Sequence, residues 1–194
     1  WALDKGFATK EDVERIEDQG CIKAADASKI SDKAIKRGIR QIGTLGSGNH
    51  YLEIQRIGDI FRPDIAKKFG IVDPNQIVVM VHCGSRGFGH QIASEYVSVV
   101  NSKMKELGLD IKDKELGCAP FKSREGQDYY AAMACAANAA FVNRQVIMHK
   151  VREKFSEVFN RDVDSMNMKL VYDVAHNIAK IEKHKVDGST KELI

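Results

Sequence analysis

Residues 77–90 read Ile77-Val78-Val79-Met80-Val81-His82-Cys83-Gly84-Ser85-Arg86-Gly87-Phe88-Gly89-His90, and their order of residue types decides the fold class. Ile77 to Val81 is a continuous β-branched and methionine run, preceded by the turn signal Asp73-Pro74-Asn75 and bounded by Gly84. That pattern predicts a strand buried on both faces. From His90 to Leu107, Ile92, Ala93, Tyr96, Val97 and Val100 recur at helical spacing, with Gly108 as a stop. A strand, a glycine-rich loop and a helix therefore follow one another directly.

Upstream, Gly43-Thr44-Leu45-Gly46-Ser47-Gly48 reads as a loop that leads into His50 to Ile57. There Leu52, Ile54 and Arg56 alternate with Tyr51, Glu53 and Gln55, the two-residue period of a strand. Ser31 is a candidate cap for a helix over Asp32 to Arg40, and Thr9 caps a shorter one that Gly20 can end. Downstream, Asp128 to Phe159 predicts a long helix. Its alanine-rich part, Ala131 to Ala140, lies in the interior, and its more charged half from Arg144 onward emerges to solvent. Lys169 to Ala175 gives a third strand-like run ending at His176, and Asp187-Gly188 marks a turn. The strands do not alternate regularly with the helices, so the expected class is α+β, in mixed α/β layers, rather than a doubly wound sheet.

The 194 residues are 43% hydrophobic and 29% charged, the composition of a globular domain or part of one. Apolar runs all fall short of the roughly 20 residues a membrane helix needs. Cys21, Cys83, Cys118 and Cys135 are too widely spaced for a disulfide framework, and reduced thiols in the cytoplasm are expected. A formal net charge of +3 permits a nucleic-acid partner without announcing one.

Three histidines hold equivalent places: His50 at the start of one strand, His82 and His176 directly after the apolar runs of two others. Strand ends can hold imidazoles rigidly beside open space, which is what a catalytic metal site requires. Each taken singly is accounted for by a hydrogen bond near a strand end. Together, each beside glycine or asparagine, they point to a shared site. There is no CxxC pair and no HExxH helix, so such a site is assembled from distant segments. Imidazole alone leaves zinc, iron, nickel and copper open, and manganese would need oxygen ligands too. The loops Gly46-Ser47-Gly48-Asn49 and Gly84-Ser85-Arg86-Gly87 can turn backbone N–H groups toward an anion, and the Arg86 guanidinium matches phosphate oxygens. Glycine-rich turns also serve merely to reverse a chain. Alternation puts Glu53 on the face opposite His50, and its role stays open.

Four motifs taken in order, Gly43 to His50, His82 to His90, Ser123-Arg124-Glu125-Gly126-Gln127-Asp128-Tyr129, and His176-Asn177-Ile178-Ala179, resemble the RtcB-type RNA-splicing ligases over nearly the whole chain. The resemblance implies that family's own α+β fold. It also implies an enzyme that joins RNA ends bearing a 3′-phosphate or 2′,3′-cyclic phosphate to a 5′-hydroxyl, in tRNA splicing and RNA repair, with GTP and two manganese ions. By the same resemblance His50 falls on one ion and His82 and His176 on the other. Nucleotide contacts fall on Asn49, His50, Tyr51, Leu52 and Glu53 and on His176 and Asn177. Arg86 matches a residue that binds the RNA phosphate, so Arg86 and His176 are the expected catalytic positions.

The family's bridging cysteine and companion aspartate fall upstream of Trp1, and its GMP-accepting histidine falls beyond Ile194. Residues 1–194 are therefore expected to be the central metal- and nucleotide-binding segment of a single catalytic domain, inactive alone. Cys83 stands where relatives commonly carry serine or threonine, either as a neutral exchange or as a soft ligand near the site. Two other readings use the same residues. In a metal-dependent phosphoesterase the histidines would hold ions that activate water. In a non-catalytic RNA-binding module, Arg86, Arg124 and the basic stretch Lys33 to Arg40 would hold the partner, although that stretch also fits a solvated helix face.

Overall fold

The computed structural model describes residues 1–194 throughout. Its elements run α1 (Lys10–Glu14), α2 (Asp32–Ile39), β1 (Tyr51–Arg56), α3 (Pro63–Lys68), β2 (Ile77–His82), α4 (Arg86–Lys103), α5 (Arg124–Phe159), β3 (Glu182–Val186) and β4 (Ser189–Leu193). The class is α+β: helices carry the core, and β1–β2 and β3–β4 form two separate two-stranded antiparallel sheets.

Helix α5 is the strut of the molecule. Ser123 caps it by accepting from the Gly126 N–H, and Asn160 ends it in a left-handed conformation at φ 48°. Ala134, Ala137 and Phe141 pack with Ile16 and Ile22 from the N-terminal segment, while Ala132 packs with Ala34 of α2 and Ile92 of α4. The small side chains let other elements approach on both faces of the helix. Burial extends past the alanines through Asn143, Gln145, Val146 and Ile147, so the expected emergence to solvent at Arg144 comes later than charge alone suggested. The carboxylate of Asp12, only 2% exposed, accepts from both terminal nitrogens of Arg152 at 2.8 and 2.9 Å, tying α1 to the far half of α5. Thr9 and Asp12 also form a capping box at the start of α1.

Helix α4 begins at Arg86, four residues earlier than its apolar period indicates, and stops at Lys103 before a turn that reaches Gly108. Gly87 and Gly89 lie inside it because packing demands their lack of a side chain. A Cβ on Gly87 would sit 2.7 Å from Gln41 Oε1, and one on Gly89 would crowd Ser85 and Ala136. On the facing helix, a Cβ on Gly38 would run into the Phe88 ring.

Two expectations are corrected. Strand β2 is not buried on both faces: it pairs only with β1, in the register Tyr51↔His82 to Arg56↔Ile77, and Ile77 is 56% exposed. With one partner strand, its apolar run is covered only in part: Val78, Val79 and Val81 are half-buried, and Ile77 and Met80 are exposed. Lys169 to Ala175 is no strand either. It is an extended segment with one parallel bridge, Asp173 to Ile16, held by Glu17 N–H to Asp173 O at 2.9 Å and Asp173 N–H to Arg15 O at 3.0 Å. Its neighbours on the other side are helical, so no ladder can grow. The Asp187-Gly188 turn closes a hairpin, with both residues at positive φ, 52° and 75°.

Candidate functional site

A cavity of about 710 Å³ opens between the β1–β2 hairpin, the first half of α5 and the segment 171–178. His50, His82 and His176 all line it, together with Arg86, Arg144 and Asn177. His82 sits at the end of β2, opposite Tyr51 in the ladder, and its Nδ1 lies 2.7 Å from the Asn49 carbonyl oxygen. A carbonyl can only accept, so Nδ1 carries a proton, and Nε2 is the nitrogen left for a ligand in the cavity. That Nε2 lies 3.4 Å from Nε2 of His176, with the two rings stacked at 23°.

The His50 ring packs edge-on against His82 with centroids 5.8 Å apart. Its Nδ1 is buried without a hydrogen-bond partner. Burial, with help from the positive charge of Arg86, holds the His50 imidazole below its ordinary pKa and so favours the neutral form that ligates metals. Arg86 opens α4 at φ 58°, a left-handed conformation costly for a residue with a side chain. That conformation is held by its neighbours: the Gly87 N–H donates to Gln41 Oε1 at 2.7 Å, and Arg86 Nε donates to Thr44 Oγ1 at 3.3 Å. Gly46 lies beneath both functional side chains. A Cβ there would collide with the His50 ring and with the Arg86 guanidinium.

The His82–His176 pair fits a divalent ion. Two nitrogens about 2.1 Å from a tetrahedral centre stand roughly 3.4 Å apart, which is the observed spacing. The backbone carbonyl behind His82 is the usual support for a ligating imidazole. The pair is half of a ligand sphere, since no three His, Cys, Asp or Glu side chains come together as one metal-holding group. His50 stands beside the pair without joining it at a single point, so the expected convergence of three histidines is a shared cavity wall rather than one closed cluster.

Among the other expected positions, Tyr51 and Asn177 line the cavity and Asn49 contributes its backbone carbonyl. Leu52 and Glu53 are exposed and lie outside the lining, Glu53 accepting from Gln55 Nε2 at 2.6 Å. The thiol of Cys83 is buried, directed at the Thr44 carbonyl at 3.5 Å, and it receives an N–H from Asn143 at 3.3 Å. It packs the loop as a small residue would. Of the basic stretch, Arg37 does more than solvate, donating to Gln91 Oε1 at 3.0 Å.

Three residues at or behind the cavity escaped the reading of the sequence: Arg144 and Asp173, which line it, and Asn143, which does not. Arg144 Nε donates to Asp173 Oδ1 at 2.6 Å, with both side chains about nine-tenths buried. Burial raises the Asp173 pKa to about 6, against the opposing pull of Arg144. The signal was a run of polar residues, Asn143-Arg144-Gln145, set between the apolar pairs Phe141-Val142 and Val146-Ile147. Such a run inside a core must be hydrogen-bonded to something.

Comparison with known proteins agrees with the motifs. The family described as tRNA-splicing ligase RtcB matches residues 1–194. The tRNA-splicing ligase RtcB of Methanocaldococcus jannaschii is 51% identical over 194 residues, covering 100% of this chain and 20% of the relative. That of Pyrobaculum aerophilum is 53% identical over 187 residues, covering 96% and 38%. That of Thermococcus kodakarensis is 48% identical over 194 residues, covering 100% and 40%. The chain belongs to the RtcB family, and it spans 20% to 40% of the length of these relatives.

Proposed function

We propose that this member of the RtcB family forms the histidine-lined wall of an RNA ligase site, which joins 3′-phosphate or 2′,3′-cyclic-phosphate ends to 5′-hydroxyl ends using GTP and two manganese ions. The relatives' description as tRNA-splicing ligases supports the RNA ligase reading. The observation that carries it is the paired Nε2 atoms of His82 and His176, with the Arg86 guanidinium on the same cavity wall.

In this reading His82 and His176 hold one ion and His50 helps hold the other. Bound there, a divalent metal polarises phosphoryl oxygens and offsets the charge that develops on them. The protein's own contributions are positional. The Asn49 carbonyl fixes the His82 tautomer, so that Nε2 is the nitrogen presented to a metal. Arg86 presents a planar set of donors matched to the terminal phosphate of an RNA end. Tyr51 and Asn177 border the space for the nucleotide, and Leu52 and Glu53 take a smaller part, consistent with their outward position.

The test separates ligase from phosphoesterase. Full-length protein is given a 3′-phosphate RNA and a 5′-hydroxyl RNA with manganese, with and without GTP. The expected result is a sealed product that requires GTP and is lost in His82→Ala. Release of inorganic phosphate at the same rate with and without GTP would instead establish the phosphoesterase.

A further inference from the structure

Asn143 is deeply buried in α5, 1% exposed, and makes no hydrogen bond to any of the three histidines. Its carboxamide oxygen accepts from the backbone N–H of Gly43 at 2.7 Å and of Thr44 at 3.3 Å. Its NH₂ group donates to the carbonyls of Thr44 at 3.3 Å and Gly84 at 3.0 Å and to the thiol of Cys83 at 3.3 Å. One amide therefore binds the loop that leads to His50 with its oxygen and the loop that follows His82 with its nitrogen. The next residue extends the link: Arg144 donates from NH1 to the Cys83 carbonyl at 3.0 Å and from Nε to Asp173, three positions before His176.

We infer that Asn143, with Arg144 beside it, is a positioning residue that sets the spacing of the three histidine-bearing segments. The three segments come from distant parts of the chain, and β1–β2 pairing joins only two of them. A rigid helix between them, carrying both a donor and an acceptor at one buried position, fixes all three against a common reference. Only a carboxamide meets the demand. An ionised aspartate would face the Thr44 and Gly84 carbonyls with acceptors alone, and an aliphatic side chain would take the amide partner away from the Gly43 N–H and the Gly84 carbonyl. The commitment of this helix to the same loop continues at Lys150, whose ammonium donates to the Gly43 carbonyl at 2.8 Å. Groups that support a metal ligand without touching the metal are generally worth about tenfold to hundredfold in affinity. This part of the inference rests on the metal reading above; the spacing itself does not.

The test uses the full-length protein as Asn143→Ala, Asn143→Asp and Ile92→Val. Ile92 is as deeply buried but packs on Ala34 and Ala132, in the other core cluster. Two quantities are measured well below every melting midpoint: deuterium uptake of segments 46–52 and 80–84 without metal, and binding of manganese(II) alone by electron paramagnetic resonance, with His82→Ala as the reference for specific binding. Both Asn143 variants should raise uptake in the two segments together and weaken manganese(II) binding about tenfold to hundredfold. Ile92→Val should lower the melting temperature and leave both quantities unchanged. Uptake that rises next to residue 43 alone, or manganese(II) binding within twofold of wild type in both Asn143 variants, overturns the inference. Should Asn143→Ala fail to fold, the isosteric Asn143→Asp decides. Should wild type show no binding that depends on His82, the metal reading fails while the uptake of the two segments still decides the positioning role.

Discussion

Ala134→Leu tests whether the alanine-rich face of α5 is built for close approach. Ala134 is fully buried and packs with Ile16, Ile22, Ala137 and Phe141. Interiors are packed as densely as organic crystals, so three added carbons must be accommodated by displaced side chains or a shifted helix. Overpacking of this kind costs about 1–3 kcal/mol. With a urea slope of about 2 kcal/mol/M, the unfolding midpoint should fall by roughly 0.5–1.5 M. Helical circular dichroism in a urea titration measures this directly, and Val158→Leu supplies an internal control. Val158 is on the same helix but 74% exposed, so its replacement should move the midpoint within the roughly 0.5 kcal/mol typical of surface changes. An unchanged midpoint for Ala134→Leu, or equal shifts for the two variants, would refute the packing account.

Two further perturbations probe the charges that hold the scaffold together. Asp12→Ala leaves Arg152, 13% exposed, without its bidentate partner and should destabilise by about 3–5 kcal/mol in thermal or urea unfolding; a loss below about 1 kcal/mol would mean that water already serves the guanidinium. Asp173 has its pKa raised to about 6 by burial, so the folded state binds the proton more tightly than the unfolded chain does. The contribution of Asp173 to stability is therefore full below about 4 and declines as pH rises toward about 6. The destabilisation caused by Asp173→Asn should accordingly shrink between pH 4 and pH 6.5 in urea titrations, and a penalty that grows over that range would reverse the assigned sign.

Local signals in the sequence were reliable where local physics decides. Ser31 and Thr9 cap the helices they were expected to cap, and the Gly43–Gly48 loop delivers His50 to the cavity. The errors share one cause, which is that partners distant in the chain override local pattern. Ile77 to Val81 has the residues of a doubly covered strand, but β2 pairs with β1 alone. Val171 and Val174 suit a strand, yet the neighbours of that segment are helices, and a single bridge is all that forms. Gly87 and Gly89 look like loop residues and turn out to be helical, because α4 needs them to pass Gln41 and Ala136. The histidines of the site were legible because their residue type, their loops and their order all agree. Asn143 and Arg144 were not, because a supporting amide inside a helix has no motif of its own and acquires meaning only from the loops it binds.

In the proposed ligase, Arg86 serves the RNA end, while the His82–His176 pair serves both GMP attachment and sealing. Full-length protein is measured as Arg86→Ala and His176→Ala in two parallel assays, one following radiolabelled GMP attached to protein, the other following sealed RNA. Losing a hydrogen-bonded contact to a charged phosphate costs about 1.5–3 kcal/mol, a roughly tenfold to hundredfold slowing. The account predicts that slowing for Arg86→Ala in sealing, with GMP attachment close to wild type, and losses in both assays for His176→Ala. Equal losses in the two assays for Arg86→Ala would place that guanidinium at the nucleotide and contradict the account.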